Sequence, residues 1–270
     1  MTARTARFAD RVSVTIDDHV AHVLLDRPEK MNALDPAMFD GLIAAGQSLL
    51  DARDVRCVVL SGAGKAFCAG LDLAAMGALA SAEATPLTTR THGACNAVQY
   101  AAMIWRRLPM PVIGAIHGIC FGGGLQIACG PEIRVAAPDA RLAVMESKWG
   151  LVPDMGGYAL WRGTVREDHL RELTYTHREF SGEEAAELGF VTHVDANPVQ
   201  RALALAQDIA AKSPHAIRAA KAIFARFNES SAEDLLTAES HHQHELLGSR
   251  NQLEAVAAGM ARRKADFVDP

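Results

Sequence analysis

The sequence predicts an α/β protein, on three observations. An apolar strand, a glycine-bearing loop and a helix start follow one another in RCVVLSGAGKAFCAGLDLAAM and again in PVIGAIHGICFGGGLQIACG. An alternating stretch near the N-terminus has the pattern of a hairpin, and the last quarter of the chain is helical throughout. Strand and helix in alternation argue for βαβ units on a shared sheet, with no exact internal repeat.

Each element has its own local reason. RVSVTIDDHVAHVLLDR alternates apolar and polar residues around Asp17 and Asp18, which predicts two strands and a tight turn. Asp35 as cap and Pro36 at the first helical position open a helix in which apolar residues recur at spacings of three and four. A helix from about Thr91 to Arg107 precedes the second glycine loop, and EIRVAAP is a further strand. AAMGALASAEATPLTTR, residues 74–90, has no sustained apolar period and is expected to be a mobile loop or weak helix flanking a pocket. Further on, Ser181 with Glu184 forms a capping box, Gly189 ends that helix, Ser213 and Pro214 open another, and Ser231 with Asp234 a third. The stripes ALALAQDIA, AIRAAKAIFARF and QLEAVAAGM carry more apolar surface than a short helical tail buries on itself, so they need a partner surface in this chain or another subunit.

Composition narrows the function classes. With 270 residues, 49% of them hydrophobic and 22% charged, the chain can bury a full core. The formal charge of -5 is mild and no Lys/Arg block occurs, so a nucleic-acid partner is not expected. Five cysteines without a C-x-x-C, set in apolar strings, suit reduced and packed thiols, and a cytoplasmic location is the expectation. The start MTARTARFADRVSV lacks an apolar signal core and no run of 18 apolar residues occurs, so neither export nor membrane spanning is expected; a frayed terminus is favoured there, with a short cleaved transit segment as the alternative. His241, His242 and His244 invite a metal reading, but neighbouring histidines on one amphipathic helix cannot all face one ion, and no metal site is expected.

The glycines bring chemistry into view. Phe121 followed by Gly122, Gly123 and Gly124 puts free backbone N–H groups at a helix start, where the dipole favours negative charge. Alone this is a tight packing turn, and GAGKAF completes neither a dinucleotide nor a phosphate-loop fingerprint. Two such turns whose N–H groups converge would form an oxyanion hole, each donor typically worth about 10²–10³ in rate when charge builds on a carbonyl oxygen.

Here a resemblance becomes specific. SGAGKAFCAGLDL, AIHGICFGGGLQIACG and RLAVMESKWGLVPDMGG, with DRPEKMNAL before them, resemble the crotonase (enoyl-CoA hydratase/isomerase) family over at least Arg11 to Val191. The resemblance implies a crotonase-like ββα spiral core over residues 1–200, carrying the CoA and active site, and a helical C-terminal oligomerisation region over 201–270. It implies an acyl-CoA substrate, a homotrimer or dimer of trimers, and no permanently bound cofactor, coenzyme A being part of the substrate. By position, the oxyanion donors would be the N–H groups of Leu71 and Gly123, with Gly122 and Gly124 giving room for a thioester. The backbone of Lys30, Met31, Asn32, Ala33 and Leu34 and of Ala69, Gly70, Leu71 and Asp72 would cradle the adenine end of coenzyme A, and Lys30 would meet a phosphate or solvent.

The reaction depends on the carboxylates. Hydratases of this family carry a glutamate two residues after the triplet and a second in the next segment; here these positions hold Gln126 and Glu146. An amide moves no proton at neutral pH, so Gln126 either hydrogen-bonds a water or substrate group or fills the pocket wall. Glu146 in a mostly apolar segment suits a general base whose pKa burial raises; its plainer role is an ion pair with Lys148. Asp154 is either the cap of MGGYALWRG or a second catalytic carboxylate, the glutamate–aspartate pair resembling that of the family's double-bond isomerases. Isomerisation is therefore favoured, with syn-hydration of 2-enoyl-CoA, another thioester reaction on the same scaffold, or non-catalytic acyl-CoA binding as alternatives. His117 and Cys68 read as packed residues, and Trp149 and Phe121 as acyl-channel walls or ordinary core.

Overall fold

The computed structural model describes residues 3–75 and 85–270. Strands β1 (Arg4–Phe8), β2 (Val12–Asp17) and β3 (Val20–Leu25) form an antiparallel meander. The β2–β3 turn is centred on Asp18 and His19, one residue later than expected, both left-handed with φ of 41° and 64°, which matches the twist of a two-residue hairpin. From β3 the sheet continues in parallel through β4 (Cys57–Gly62), as the helix Pro36–Leu50, capped by the Asp35 side chain, carries the chain back.

After β4 the chain departs from simple βαβ units. A glycine turn leads to a second, three-residue strand, β5 (Ala66–Cys68), before any helix. The pattern recurs: β6 (Val112–Ile116) is followed by β7 (Ile119–Phe121), and β8 (Ile133–Ala136) by β9 (Arg141–Ala143). Completed by β10 (Phe180–Ser181) and β11 (His193–Val194), the strands form a seven-stranded sheet in the order β1-β2-β3-β4-β6-β8-β11 and a four-stranded sheet in the order β10-β9-β7-β5. Runs as short as AFC and ICF lie within glycine loops, so periodicity merges them with the loop; only pairing with one another and with β9 makes them strands.

The larger sheet is covered on both faces, which is why β4 and β6 are apolar without alternation. Val58 and Leu60 pack into the main core with Met38, Leu42, Ile104 and Trp105. Cys57 and Val59 face the other way, against Ala202, Ala206 and Ala210 of the helix Pro198–Ala210. Alanines four residues apart keep that helix close to the sheet, so the boundary expected at 200/201 falls inside an element of the core, and the stripe ALALAQDIA finds its partner within this chain.

Three helices remain: Pro214–Phe224, Ala232–Leu246 and Arg250–Ala261. Ser231 and Asp234 form the expected capping box on the second, whereas at Ser181 only the forward bond to the Glu184 N–H is made. The first is tied to the core by Lys221, which donates to the Met110 carbonyl at 2.7 Å and pairs with Glu132, and by Arg218, which donates to the carbonyls of Ala52 and Val55. The second buries no residue, and Phe224, Leu236 and Met260 are 69%, 63% and 84% exposed. The helix expected from about Thr91 begins at Ala97, where Asn96 and Gln99 make a capping box. The loop expected at 74–90 and the helix start expected after Leu71 lie largely in residues 76–84, outside the described residues.

Candidate active site

The site begins with a buried amide. Asn32 is fully buried and left-handed (φ 55°), its Nδ2 donating to the carbonyls of Ala63 and Ala66 at 2.9 and 2.8 Å, its Oδ1 accepting from the Arg27 N–H at 2.9 Å. It fastens the segment 27–34 to the glycine turn before β5. The same segment then runs beside 69–72: Ala69 N–H donates to Met31 O at 2.9 Å, Leu34 N–H to Gly70 O at 2.8 Å and Asp72 N–H to Leu34 O at 3.0 Å. Arg27 closes the pair, 2.8 Å from Asp72 and 3.1 Å from the Ala33 carbonyl, and its guanidinium holds the Asp72 carboxyl below the ordinary carboxylate range. Met31, Ala33, Ala69, Gly70 and Asp72 are thereby brought together, and Lys30 ends an exposed 3-10 turn next to them. Arg27 escapes sequence reading, and so does the side chain of Asn32, expected only as part of a backbone cradle, because an asparagine in a loop and an arginine at a strand end are common; the left-handed backbone that marks Asn32 is a tertiary property.

In this parallel bridge both bonds to Leu34 come from residues 70 and 72, so the N–H of Leu71 points to the opposite side. The glycine triplet packs against the same turn, at Gly70. Gly122 has φ 50° and ψ -119°, a backbone that disfavours a side chain, and Gly123 starts the helix Gly123–Ala128 with its N–H free. A Cβ on Gly70 would stand 2.7 Å from the Phe121 carbonyl and 3.9 Å from the Gly123 nitrogen, so the two turns abut with no side chain between them. Neither the Leu71 nor the Gly123 N–H finds an acceptor among the described residues.

The expected roles of the flanking glycines change. A Cβ on Gly124 would meet the Cys68 carbonyl at 2.5 Å and Cys68 Cβ at 2.8 Å, so Gly124 makes room for β5 rather than for a substrate. Gly122 lies beside the Glu146 carboxyl, 3.4 Å from Oε1 to a built Cβ.

Glu146 and Gln126 form a connected pair. Glu146 starts the 3-10 turn Glu146–Trp149 and is 9% exposed; burial pushes its carboxyl above the usual range, helped by the charge of Asp154. Its Oε1 accepts from Gln126 Nε2 at 2.6 Å, while Oε2 is buried and has no partner among the described residues. Gln126 Oε1 accepts from the N–H groups of Met155 and Gly157 at 2.8 and 2.9 Å. Two N–H donors on one side and a carboxyl on the other fix the amide orientation. Gln126 thus serves the protein's own groups through both ends of its amide. The plainer role for Glu146 falls, since Lys148 lies over the Trp149 ring at 5.5 Å and forms no ion pair with Glu146.

Asp154 does not cap a helix. The helix Gly157–Trp161 begins after Gly156 without a side-chain cap. Asp154 is exposed at its surface yet crowded by surrounding protein, and this desolvation raises its pKa. Trp149, expected in the acyl channel, is 47% exposed, with Lys148 over its ring at 5.5 Å. Phe121 is half-buried with Arg141 over its ring, and His117 Nε2 meets the Gly64 carbonyl at 3.1 Å. All five cysteines are free and buried, burial pushing the Cys57 and Cys68 thiols up to about 12. His241 and His242 lie 3.4 and 3.5 Å from Glu245. Among the described residues no cluster of His, Cys, Asp or Glu is arranged to hold a metal ion, and no helix is long and apolar enough to cross a membrane. Two concavities of about 400 and 770 Å³ are lined by none of Glu146, Asp154, Leu71 or the glycine triplet.

The enoyl-CoA hydratase/isomerase family profile matches residues 15–270. The peroxisomal Delta(3,5)-Delta(2,4)-dienoyl-CoA isomerase of Arabidopsis thaliana is 31% identical, over 99% of this chain and 99% of that protein. The mitochondrial protein of the same name from Mus musculus is also 31% identical, over 93% of this chain and 79% of its own. A solved enoyl-CoA hydratase from Polaromonas sp. JS666 superposes with a TM-score of 0.85 at 26% identity, covering 95% of this chain and 99% of that one. The chain belongs to the enoyl-CoA hydratase/isomerase family, within the crotonase superfamily, whose members act on CoA thioesters. It is an enoyl-CoA hydratase/isomerase-type enzyme with the mixed α/β crotonase fold and a helical C-terminal region. The expected cytoplasmic location is corrected: these relatives are named peroxisomal and mitochondrial, and buried reduced thiols do not distinguish one reducing compartment from another.

Proposed function

We propose that the protein shifts double bonds in enoyl- or dienoyl-CoA thioesters, with Glu146 and Asp154 as the proton-transferring pair and the N–H groups of Leu71 and Gly123 as the oxyanion hole. The observation that carries this reading is the Gln126 amide. Where a hydratase has its first glutamate, this chain has an amide occupied by Glu146, Met155 and Gly157, so a second carboxylate has to come from Asp154. One carboxylate removes a proton next to the thioester carbonyl; the resulting enolate is held by the two N–H groups; the other carboxyl, protonated, returns a proton farther along the conjugated system. One proton leaves and one arrives, so no water is consumed. Burial and mutual repulsion favour a single negative charge on the pair, as this chemistry needs. The dienoyl-CoA isomerase names of two relatives support a 3,5-dienoyl substrate.

In this reading the backbone of Lys30 to Leu34 and Ala69 to Asp72 holds the adenine end of coenzyme A, no cofactor is permanently bound, and the unpartnered apolar faces of the last three helices meet other copies in a trimer or dimer of trimers. The test is incubation with 3,5-dienoyl-, 3-enoyl- and 2-enoyl-CoA in deuterated water. Conversion of the dienoyl ester with label at the reprotonated carbon and no 3-hydroxy product is expected; hydration of 2-enoyl-CoA as the dominant reaction would replace this reading.

A further inference from the structure

Gln126 joins the Glu146 carboxyl to the loop after Asp154, beyond the backbone bond from the Leu151 N–H to the Glu146 carbonyl at 3.1 Å. Its Nε2 holds Glu146 Oε1 at 2.6 Å, and its Oε1 holds the N–H groups of Met155 and Gly157, immediately after Asp154, at 2.8 and 2.9 Å. The amide is 1% exposed, so these bonds do not exchange readily with water. Of the two Glu146 oxygens, Oε1 is taken and Oε2 is buried without a partner.

We propose that Gln126 is a positioning residue that sets the separation of Glu146 and the Asp154 loop and leaves Oε2 of Glu146 as the oxygen that exchanges the substrate proton. This rests on the reading of Glu146 and Asp154 as the proton-transferring pair. A glutamine does this better than the carboxylate of a hydratase because it is donor and acceptor at once: it neutralises no charge, adds none, and can face a carboxylate on one side and two N–H groups on the other. A carboxyl in its place would meet Glu146 oxygen to oxygen, and one of the two would have to keep a proton. The charged or titratable groups around Glu146 are Asp154 from the following loop, Lys148 on its own turn, and His177 from the end of the helix Glu167–Thr176, whose ring lies 3.3 Å from Ser147 Oγ.

The experiment compares wild type with Gln126→Met, which neither donates nor accepts these bonds, and Gln126→Glu, which keeps the two acceptor bonds and faces Glu146 only through a shared proton. Rates on 3,5-dienoyl-CoA are followed across pH. In Gln126→Met, kcat is expected to fall about 10- to 100-fold through misplacement of the carboxyls, with KM changed by less than about threefold because thioester contacts remain. In both variants the Glu146-dependent limb of the pH profile is expected at higher pH, in Gln126→Met because the bond favouring the Glu146 anion is gone and in Gln126→Glu because a second carboxylate faces it. An unshifted limb in Gln126→Glu overturns the proposal, and that variant decides alone if Gln126→Met does not fold. Glu146→Gln is the control: full activity there defeats the carboxylate reading itself, whereas an inactive Glu146→Gln with an unshifted Gln126→Glu profile defeats only the positioning role.

Discussion

At the scale of residues, the role proposed for Glu146 comes with a cost in stability. Its folded pKa lies above the ordinary value of 4.5 because it is desolvated and faces Asp154. The folded state therefore holds this proton more tightly than the unfolded chain, and the associated stability is complete below about pH 4.5 and is lost as pH rises through the folded value. Glu146→Gln is expected to reduce isomerisation by about 10²- to 10⁴-fold while making the unfolding midpoint fall less steeply above the ordinary carboxylate range, a combination read by steady-state rates and urea melts at several pH values. Asp154→Asn is expected to lower the rate by a similar factor, about 10²-fold or more, with less effect on stability because the group is open to solvent. Gly124→Ala tests the seam between the two turns. A methyl group 2.5 Å from the Cys68 carbonyl forces backbone to move, with an expected loss of about 1–3 kcal/mol in chemical denaturation and a fall in kcat as the Leu71 and Gly123 N–H groups separate.

At the scale of elements, the site depends on loops held by buried polar groups. The segment 27–34 carries no helix or strand of its own beyond a single 3-10 turn, and its position comes from Asn32, Arg27 and three backbone bonds to 69–72. Asn32→Ala would leave the Ala63 and Ala66 carbonyls and the Arg27 N–H without their partner, at about 1–3 kcal/mol for each buried group left unsatisfied. The expected result is a lower denaturation midpoint and weaker binding of CoA itself, measured by calorimetry; unchanged CoA affinity in a folded variant would detach this segment from the adenine site. The short strands β5 and β7 explain the architecture of the pair of turns. Each follows a longer strand of the large sheet and enters the small one, so their C-terminal ends deliver Ala69–Leu71 and Gly122–Gly123 side by side.

At the scale of the whole molecule, the C-terminal helices are the unfinished part of the fold. Only Asn251 and Ala258 are buried in the last of them, and none in the one before. Apolar faces of this extent do not remain in water, and association of copies is the expected outcome. Leu236→Lys with Met260→Glu places charge on that surface, and sedimentation or light scattering is expected to show a smaller species than the wild type, with the core still folded because these side chains contribute little to it.

Much of this was legible beforehand, for reasons particular residues make plain. Capping by Asp35 and the Ser231–Asp234 box are local, and the alternation of β2 and β3 depends on neighbours in sequence. The three glycines after Phe121 announced a close backbone approach, and a glutamate in an apolar string announced a raised pKa. The sequence by itself therefore determined the α/β alternation, the helical tail, the family and the residue types of the site. Only the tertiary structure decided how they act: that β5 and β7 leave the large sheet, that Gly124 serves Cys68, that Gln126 binds Glu146 and the Asp154 loop, and that Asn32 anchors the segment beside Gly70. The physical reason is range. Propensity and capping act within one helical turn, whereas a buried amide is satisfied by whichever distant backbone the packed fold brings within about 3 Å of it.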